Sequence, residues 1–136
     1  MKNTLLTLVM FASLLPLAGT SLAQEWQPPL ASNLCFRNSQ NLSPGTAAAG
    51  EYKVIHGPYT SSSNCTDASH GFVLRTQSGM RWPLTVEKLV GGAWRTVVRK
   101  EYDPYRKLGN GTFRLILDNR ESTQTVSYKG SYTIPL

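Results

Sequence analysis

The 136-residue chain carries only two histidines, two cysteines and eight acidic residues, and these shortages bear directly on which chemistries it can support. Glycosidic cleavage needs two carboxyls in one cleft. Here Glu87, Glu101, Asp103, Asp118 and Glu121 stand beside basic residues or in turns, the setting of solvated charge. Zinc sites use closely spaced ligand pairs, whereas His56 and His70 are far apart, with Asp67 the only acid between them. They read as polar loop histidines. There is no Gly-x-Ser-x-Gly elbow for a hydrolase serine, no Cys-x-x-Cys redox pair and no glycine-rich phosphate loop; Gly91-Gly92 and Gly109-Asn110-Gly111 read as hairpin turns. Beyond the N-terminus no apolar run approaches the roughly 20 residues that cross a bilayer, and no stretch has the 3.6-residue period of an amphipathic helix of normal length. The expectation is a protein that is not an enzyme, with no cofactor, no metal, no nucleic-acid partner and no membrane span.

What the chain does have begins at its first residues. Lys2 is followed by the apolar run Leu5 to Leu17, then by the small residues Ser21 and Ala23, a pattern of positive, apolar and cleavage regions that marks a secretory signal peptide over 1–23. Leu17-Ala18-Gly19-Thr20 has the outline of a lipoprotein box, but Thr20 stands where the acylated cysteine would be. The mature chain, 24–136, is expected to be one exported domain, periplasmic or extracellular, of a size that buries a small core. In an oxidising compartment Cys35 and Cys65, with no other thiol in the chain, are expected to pair. The chain-entropy account gives such a loop about 3.5 kcal/mol. Removing Lys2 from the 14 basic residues leaves 13 against 8 acids, a net charge of +5 on the mature chain.

The dominant pattern after residue 50 has period two, that of strands. In the last segment Val126, Tyr128, Tyr132 and Ile134 alternate with Ser127, Lys129, Ser131 and Thr133, the signature of a strand with one buried and one wet face. Gly130 in its middle marks a bulge or a close approach of another backbone. Trp82–Val90 and Ala93–Tyr102 are joined by Gly91-Gly92, which reads as a hairpin with a primed turn. In its second arm Trp94, Thr96 and Val98 are expected on one face and Arg95, Val97 and Arg99 on the other. Further strands are expected at Asn33–Arg37, Glu51–His56, Gly71–Gln77 and Thr112–Leu117, while 38–50 and 59–69 read as loop. About seven short strands at regular spacing point to an all-β fold, a small antiparallel β-sandwich closed by one disulfide. The final Ile134-Pro135-Leu136 leaves open whether the last strand pairs inside a sheet, at an edge, or with another chain.

The candidate functional feature is a basic and aromatic stretch. Arg95, Arg99, Lys100, Arg106 and Lys107 fall close together with Tyr102 and Tyr105. Guanidinium forks suit phosphate and carboxylate, and a tyrosine ring suits a sugar face. The expectation is a non-catalytic binding protein of the cell envelope that contacts an anionic glycan, a lipid head group or an acidic protein. An inhibitor or immunity protein, a structural subunit and a small secreted hydrolase are the alternatives, and another exported protein is the alternative partner.

Two resemblances point the same way on fold. The signal peptide, the cysteine spacing and the alternating C-terminal strand resemble chaperone–usher pilin subunits, although Pro135 stands where those carry a penultimate aromatic. Gly111-Thr112-Phe113-Arg114-Leu115 with Tyr132-Thr133-Ile134 is similar to the closing strands of the small β-sandwich modules that follow secreted bacterial peptidases. Both imply a sandwich, and neither carries a functional residue across.

Overall fold

The computed structural model describes residues 34–136; the expected signal peptide over 1–23 and the expected start of the mature chain at residue 24 lie outside the described residues. Eight strands follow in chain order: β1 (Arg37–Ala47), β2 (Tyr52–Ser61), β3 (Ser69–Thr76), β4 (Leu84–Val90), β5 (Ala93–Glu101), β6 (Tyr105–Lys107), β7 (Gly111–Asp118) and β8 (Val126–Pro135). They form two antiparallel four-stranded sheets, β1-β8-β3-β6 and β2-β7-β4-β5. Among the described residues no helix is long and apolar enough to cross a membrane.

Alternation in the strands builds one core between the two sheets. Leu42, Phe72, Leu74, Tyr128, Tyr132 and Ile134 come from the first sheet, and Tyr59, Leu84, Val86, Val98, Phe113, Leu115 and Leu117 from the second. The last segment behaves as its pattern implies, and β8 lies between β1 and β3, so both of its backbone edges are already paired. Gly130 is a point of close approach: a Cβ there would lie 2.1 Å from the Val73 carbonyl oxygen. The β4–β5 hairpin turns at Gly91 and Gly92, both at positive φ (57° and 79°), the geometry a primed turn demands. Cys35 and Cys65 are bonded, with Cα atoms 5.1 Å apart; the bridge ties the lead-in to β1 to the short 3-10 turn Ser63–Cys65 between β2 and β3.

Several expectations need correction. The strand expected at Asn33–Arg37 is absent from the described residues Leu34–Phe36, and β1 begins only at Arg37. Residues 38–50, rich in Ser, Asn, Gly and Ala, are mostly strand: β1 pairs with β8 across a register shift between Leu42 and Gly45. Long-range pairing outweighs local loop composition there. The basic segment after Pro104 contains the three-residue strand β6, which adds to the edge of β3. Trp94 and Val98 do not share a face. A register shift opposite Val86 and Glu87 inserts Val97 as an extra residue, so Val98 packs inward against Val86 while Trp94 lies outside under Arg114. The same shift puts Arg95 and Arg99 on opposite faces of β5. Finally, His70 is fully buried on β3 and His56 is half-buried on β2. His70 shares parity with Phe72 and Leu74, which is the signal for an inward residue.

Candidate functional site

The outer face of the β1-β8-β3-β6 sheet is largely polar. Because Phe72, Leu74, Tyr132 and Ile134 point inward, the odd-numbered residues of β3 and β8 point out. Register then sets them in rows. Ser39, Thr133, Gly71 and Tyr105 face one another across all four strands. Asn41, Ser131 and Val73 form the next row, and Lys129 and Arg75 the one after. Small hydroxyl and amide side chains make the floor, and Ser39 and Thr133 join their hydroxyls at 2.8 Å.

Tyr105 gives this floor a wall. Its ring lies over Gly71, where an added Cβ would come within 2.9 Å of the ring, so only glycine leaves room for it. The phenol accepts a hydrogen bond from Arg37 Nη1 at 2.9 Å, which draws a residue of the first strand to one of the sixth. That hydrogen bond and the adjacent positive charge hold the Tyr105 phenol below its ordinary acidity range. The resulting cavity, about 420 Å3, is lined by Arg37, Val73, Tyr105, Ser131 and Thr133 and by Asp103, whose charge is met by Arg75 and Arg81. Among the described residues no carboxylate pairs with Arg37, Lys107 or Lys129.

The corner between β5 and β6 carries the chain from one sheet to the other. Lys100 and Asp103 both take positive φ there (46° and 49°), conformations that non-glycine residues seldom adopt. Asp103 is locked by the fork of Arg75 at 2.5 and 3.0 Å and by Arg81 Nε at 2.9 Å. These contacts, Arg75 first, hold its carboxyl below the usual carboxylate range. Pro104 is buried and its carbonyl accepts the amide of Phe72 at 3.0 Å, which fixes Tyr105 in the next position.

The basic stretch expected to act as one patch is divided by this corner. Tyr105 and Lys107 alternate onto the outer face of the first sheet. Arg106 turns the other way and is forked to Glu101 at 2.8 and 3.0 Å. Lys100 pairs with Glu121 at 3.0 Å and Asp118 at 3.7 Å. Tyr102 is exposed, with the Arg81 guanidinium 5.4 Å from its ring centre. Arg95 and Arg99 stay on β5, the edge of the second sheet. Arg37, Arg75, Lys129 and the hydroxyl floor were missed by sequence reasoning because they come from three separate strands; the outward alternation of Lys129, Ser131 and Thr133 was the one signal available.

The outer face of the second sheet is a different surface. Glu87, which is 7% exposed, accepts from Arg114 Nε at 2.7 Å and from the Tyr52 phenol at 2.7 Å. Burial and this carboxylate push the Tyr52 phenol up to about 12. Arg114 in turn stacks on Trp94 at 4.2 Å and Arg120 on Tyr52 at 4.4 Å. Glu87 and Asp118 are thus structural anions, not the solvated charges expected of them; Arg120 holds the Asp118 carboxyl down to about 2.

The two histidines lie in the core. His70 Nδ1 is 2.9 Å from the Tyr59 hydroxyl, and its ring meets Phe113 at 4.8 Å. His56 stacks on Tyr132 at 4.1 Å. Burial depresses both, His70 to about 4 with Lys88 adding to the effect and the Gly109 backbone carbonyl opposing it. Among the described residues no cluster of His, Cys, Asp and Glu is arranged to hold a metal. No protein-family model, curated protein or solved structure matches this chain.

Proposed function

We propose that this is a non-catalytic binding protein of the cell envelope that captures an anionic component on the outer face of the β1-β8-β3-β6 sheet. One observation carries the reading: Arg37, without a carboxylate partner among the described residues, is held by its hydrogen bond to Tyr105 at a cavity that Ser131 and Thr133 also line, and in which the Asp103 carboxylate is already paired with Arg75 and Arg81. A fixed guanidinium beside a ring and a floor of hydroxyls presents a fork for an anion and donors for its neighbouring polar groups. Lys107 and Lys129 extend the positive potential across the same face. The disulfide fits an oxidising compartment, in keeping with the signal peptide read at 1–23. The enclosure of both histidines by aromatic rings favours binding over acid–base chemistry, because neither is placed to exchange a proton with a ligand on that face.

The test uses the oxidised 24–136 protein with fractionated envelope glycans and lipids at low and high salt. The reading expects capture that falls steeply with salt and is lost in Arg37→Gln combined with Lys129→Gln. Salt-insensitive capture, unchanged by those substitutions, contradicts it. A second reading, an inhibitor-type protein, is favoured by the Trp94, Arg114 and Tyr52 cluster on the other sheet, residue types that dominate protein interfaces. It expects one stoichiometric protein partner retained at high salt and lost on Trp94→Ala.

A further inference from the structure

We infer that the ligand of this face is a linear acidic polysaccharide, lying along the seam between β8 and β3; the inference rests on the anionic-ligand reading above. The cavity beside Arg37 and Tyr105 does not stand alone. A second, about 520 Å3, covers Asn41, Val73, Arg75 and Lys129, and a third, about 270 Å3, covers Ser39, Gln40 and Asn41. Ser131 lines all three, so they are one trough with a shared floor. From Thr133 to Lys129 along β8 the trough runs roughly 13 Å at the rise of a strand. A phosphate, a lipid head or one sugar ring fills only one of these compartments.

The chemistry of the trough selects among polymers. Its floor mixes hydroxyl, amide and glycine positions with the apolar Val73, Leu42 and Pro44, suited to a ligand with hydroxyls and C–H faces. One exposed aromatic ring, Tyr105 over Gly71, stands at its end. A nucleic-acid strand needs rings at successive bases, and the middle of this floor has none. An extended peptide would add to a free strand edge, whereas β8 and β3 both already have strands on either side. Cations recur along the seam, Arg37 and Lys107 at one end and Lys129 about 13 Å further along β8 from Thr133. Anionic groups spaced along a sugar chain meet both.

The test is calorimetric titration of the oxidised 24–136 protein with galacturonic acid and its oligomers up to the octamer. Inorganic phosphate, vesicles containing anionic lipid and a single-stranded oligonucleotide are titrated beside them. The inference expects affinity to rise at least about tenfold from monomer to tetramer as compartments are joined, then to level off. Ser131→Trp, which blocks the shared floor from an outward position, is expected to return the octamer to the affinity of a short oligomer; Lys129→Gln gives the same direction if that variant fails to fold. Equal affinity for monomer and octamer, or tighter binding of phosphate or vesicles, overturns the polymer while leaving the anionic site standing. Equal affinity for the oligonucleotide also overturns it, since charge alone then suffices. No salt-sensitive binding of any probe overturns the polymer and the anionic site together.

Discussion

Lowering the pH should destabilise this protein through one residue, His70. It is fully buried and its Nε2 has no hydrogen-bond partner, so the burial penalty on the charged ring outweighs the opposing pull of the Gly109 backbone carbonyl. Folding therefore lowers its pKa from 6.5 to about 4. Between those values the unfolded chain binds a proton that the folded one does not, and stability rises with pH in that window. Read downward, stability that is complete above 6.5 is lost progressively as the pH falls towards about 4, and the difference amounts to about 3 kcal/mol. With a urea slope of about 1.5 kcal/mol/M, the unfolding midpoint should fall by about 2 M between about pH 7 and about pH 4. His70→Phe keeps the ring volume and removes the titration. Its baseline stability will be lower, because the Tyr59 hydroxyl loses its partner. The informative quantity is the slope: the variant should lose most of the pH dependence, leaving the smaller part that belongs to His56. A wild-type midpoint that is flat over this range, or a variant with an undiminished slope, refutes the argument. Asp118 adds a separate loss at lower pH, since its carboxyl, held at about 2 by Arg120, contributes stability that fades below its ordinary value of 3.8.

Gly130→Ala should cost at least about 2 kcal/mol, because its Cβ meets the Val73 carbonyl at 2.1 Å in the middle of a paired strand. Thermal unfolding checks it against Gly50→Ala, where there is open space and only the positive φ of 75° to oppose the change, a cost of about 1 kcal/mol. Replacing Cys35 and Cys65 with alanine frees a loop closed over a sequence separation of 30. The loss should be about 3.5 kcal/mol, or a Tm lower by more than 10 °C as an order of magnitude, read by calorimetry. Glu87→Gln leaves Arg114 half-buried without its anion and should destabilise by about 2 kcal/mol. The same variant should let the Tyr52 phenol ionise at lower pH, which spectrophotometric titration detects.

Much of the architecture was legible where alternation is strict and turns are marked by glycine. The buried parity of Val126, Tyr128, Tyr132 and Ile134 and the Gly91-Gly92 hairpin are both found in the structure. The Cys35–Cys65 bridge followed from there being no other thiol to compete. β1 escaped because Ser39, Gln40 and Asn41 carry little strand propensity of their own and become strand only against β8. The face of Trp94 was misread because a single inserted residue, Val97, reverses parity beyond it and leaves no local trace. The candidate site was the least legible part. Arg37 and Tyr105 are 68 positions apart, and only the sheet order brings them within hydrogen-bond reach. Clustering of basic residues in sequence pointed to a patch that the β5–β6 corner divides, since neighbours in a strand alternate faces and a crossover separates the rest.

Ligand capture on the outer face of the β1-β8-β3-β6 sheet is proposed from Arg37, Tyr105 and the Ser131 row. The most direct measurement is a backbone amide NMR titration of the oxidised 24–136 protein with an acidic oligosaccharide. Shifts are expected to concentrate at Gly71, Val73, Tyr105, Lys129, Ser131 and Thr133, with Arg95, Arg99 and the Trp94 surface unmoved. Shifts confined to β5 and the Trp94 face, with the Ser131 row silent, contradict it and return the function to the second sheet.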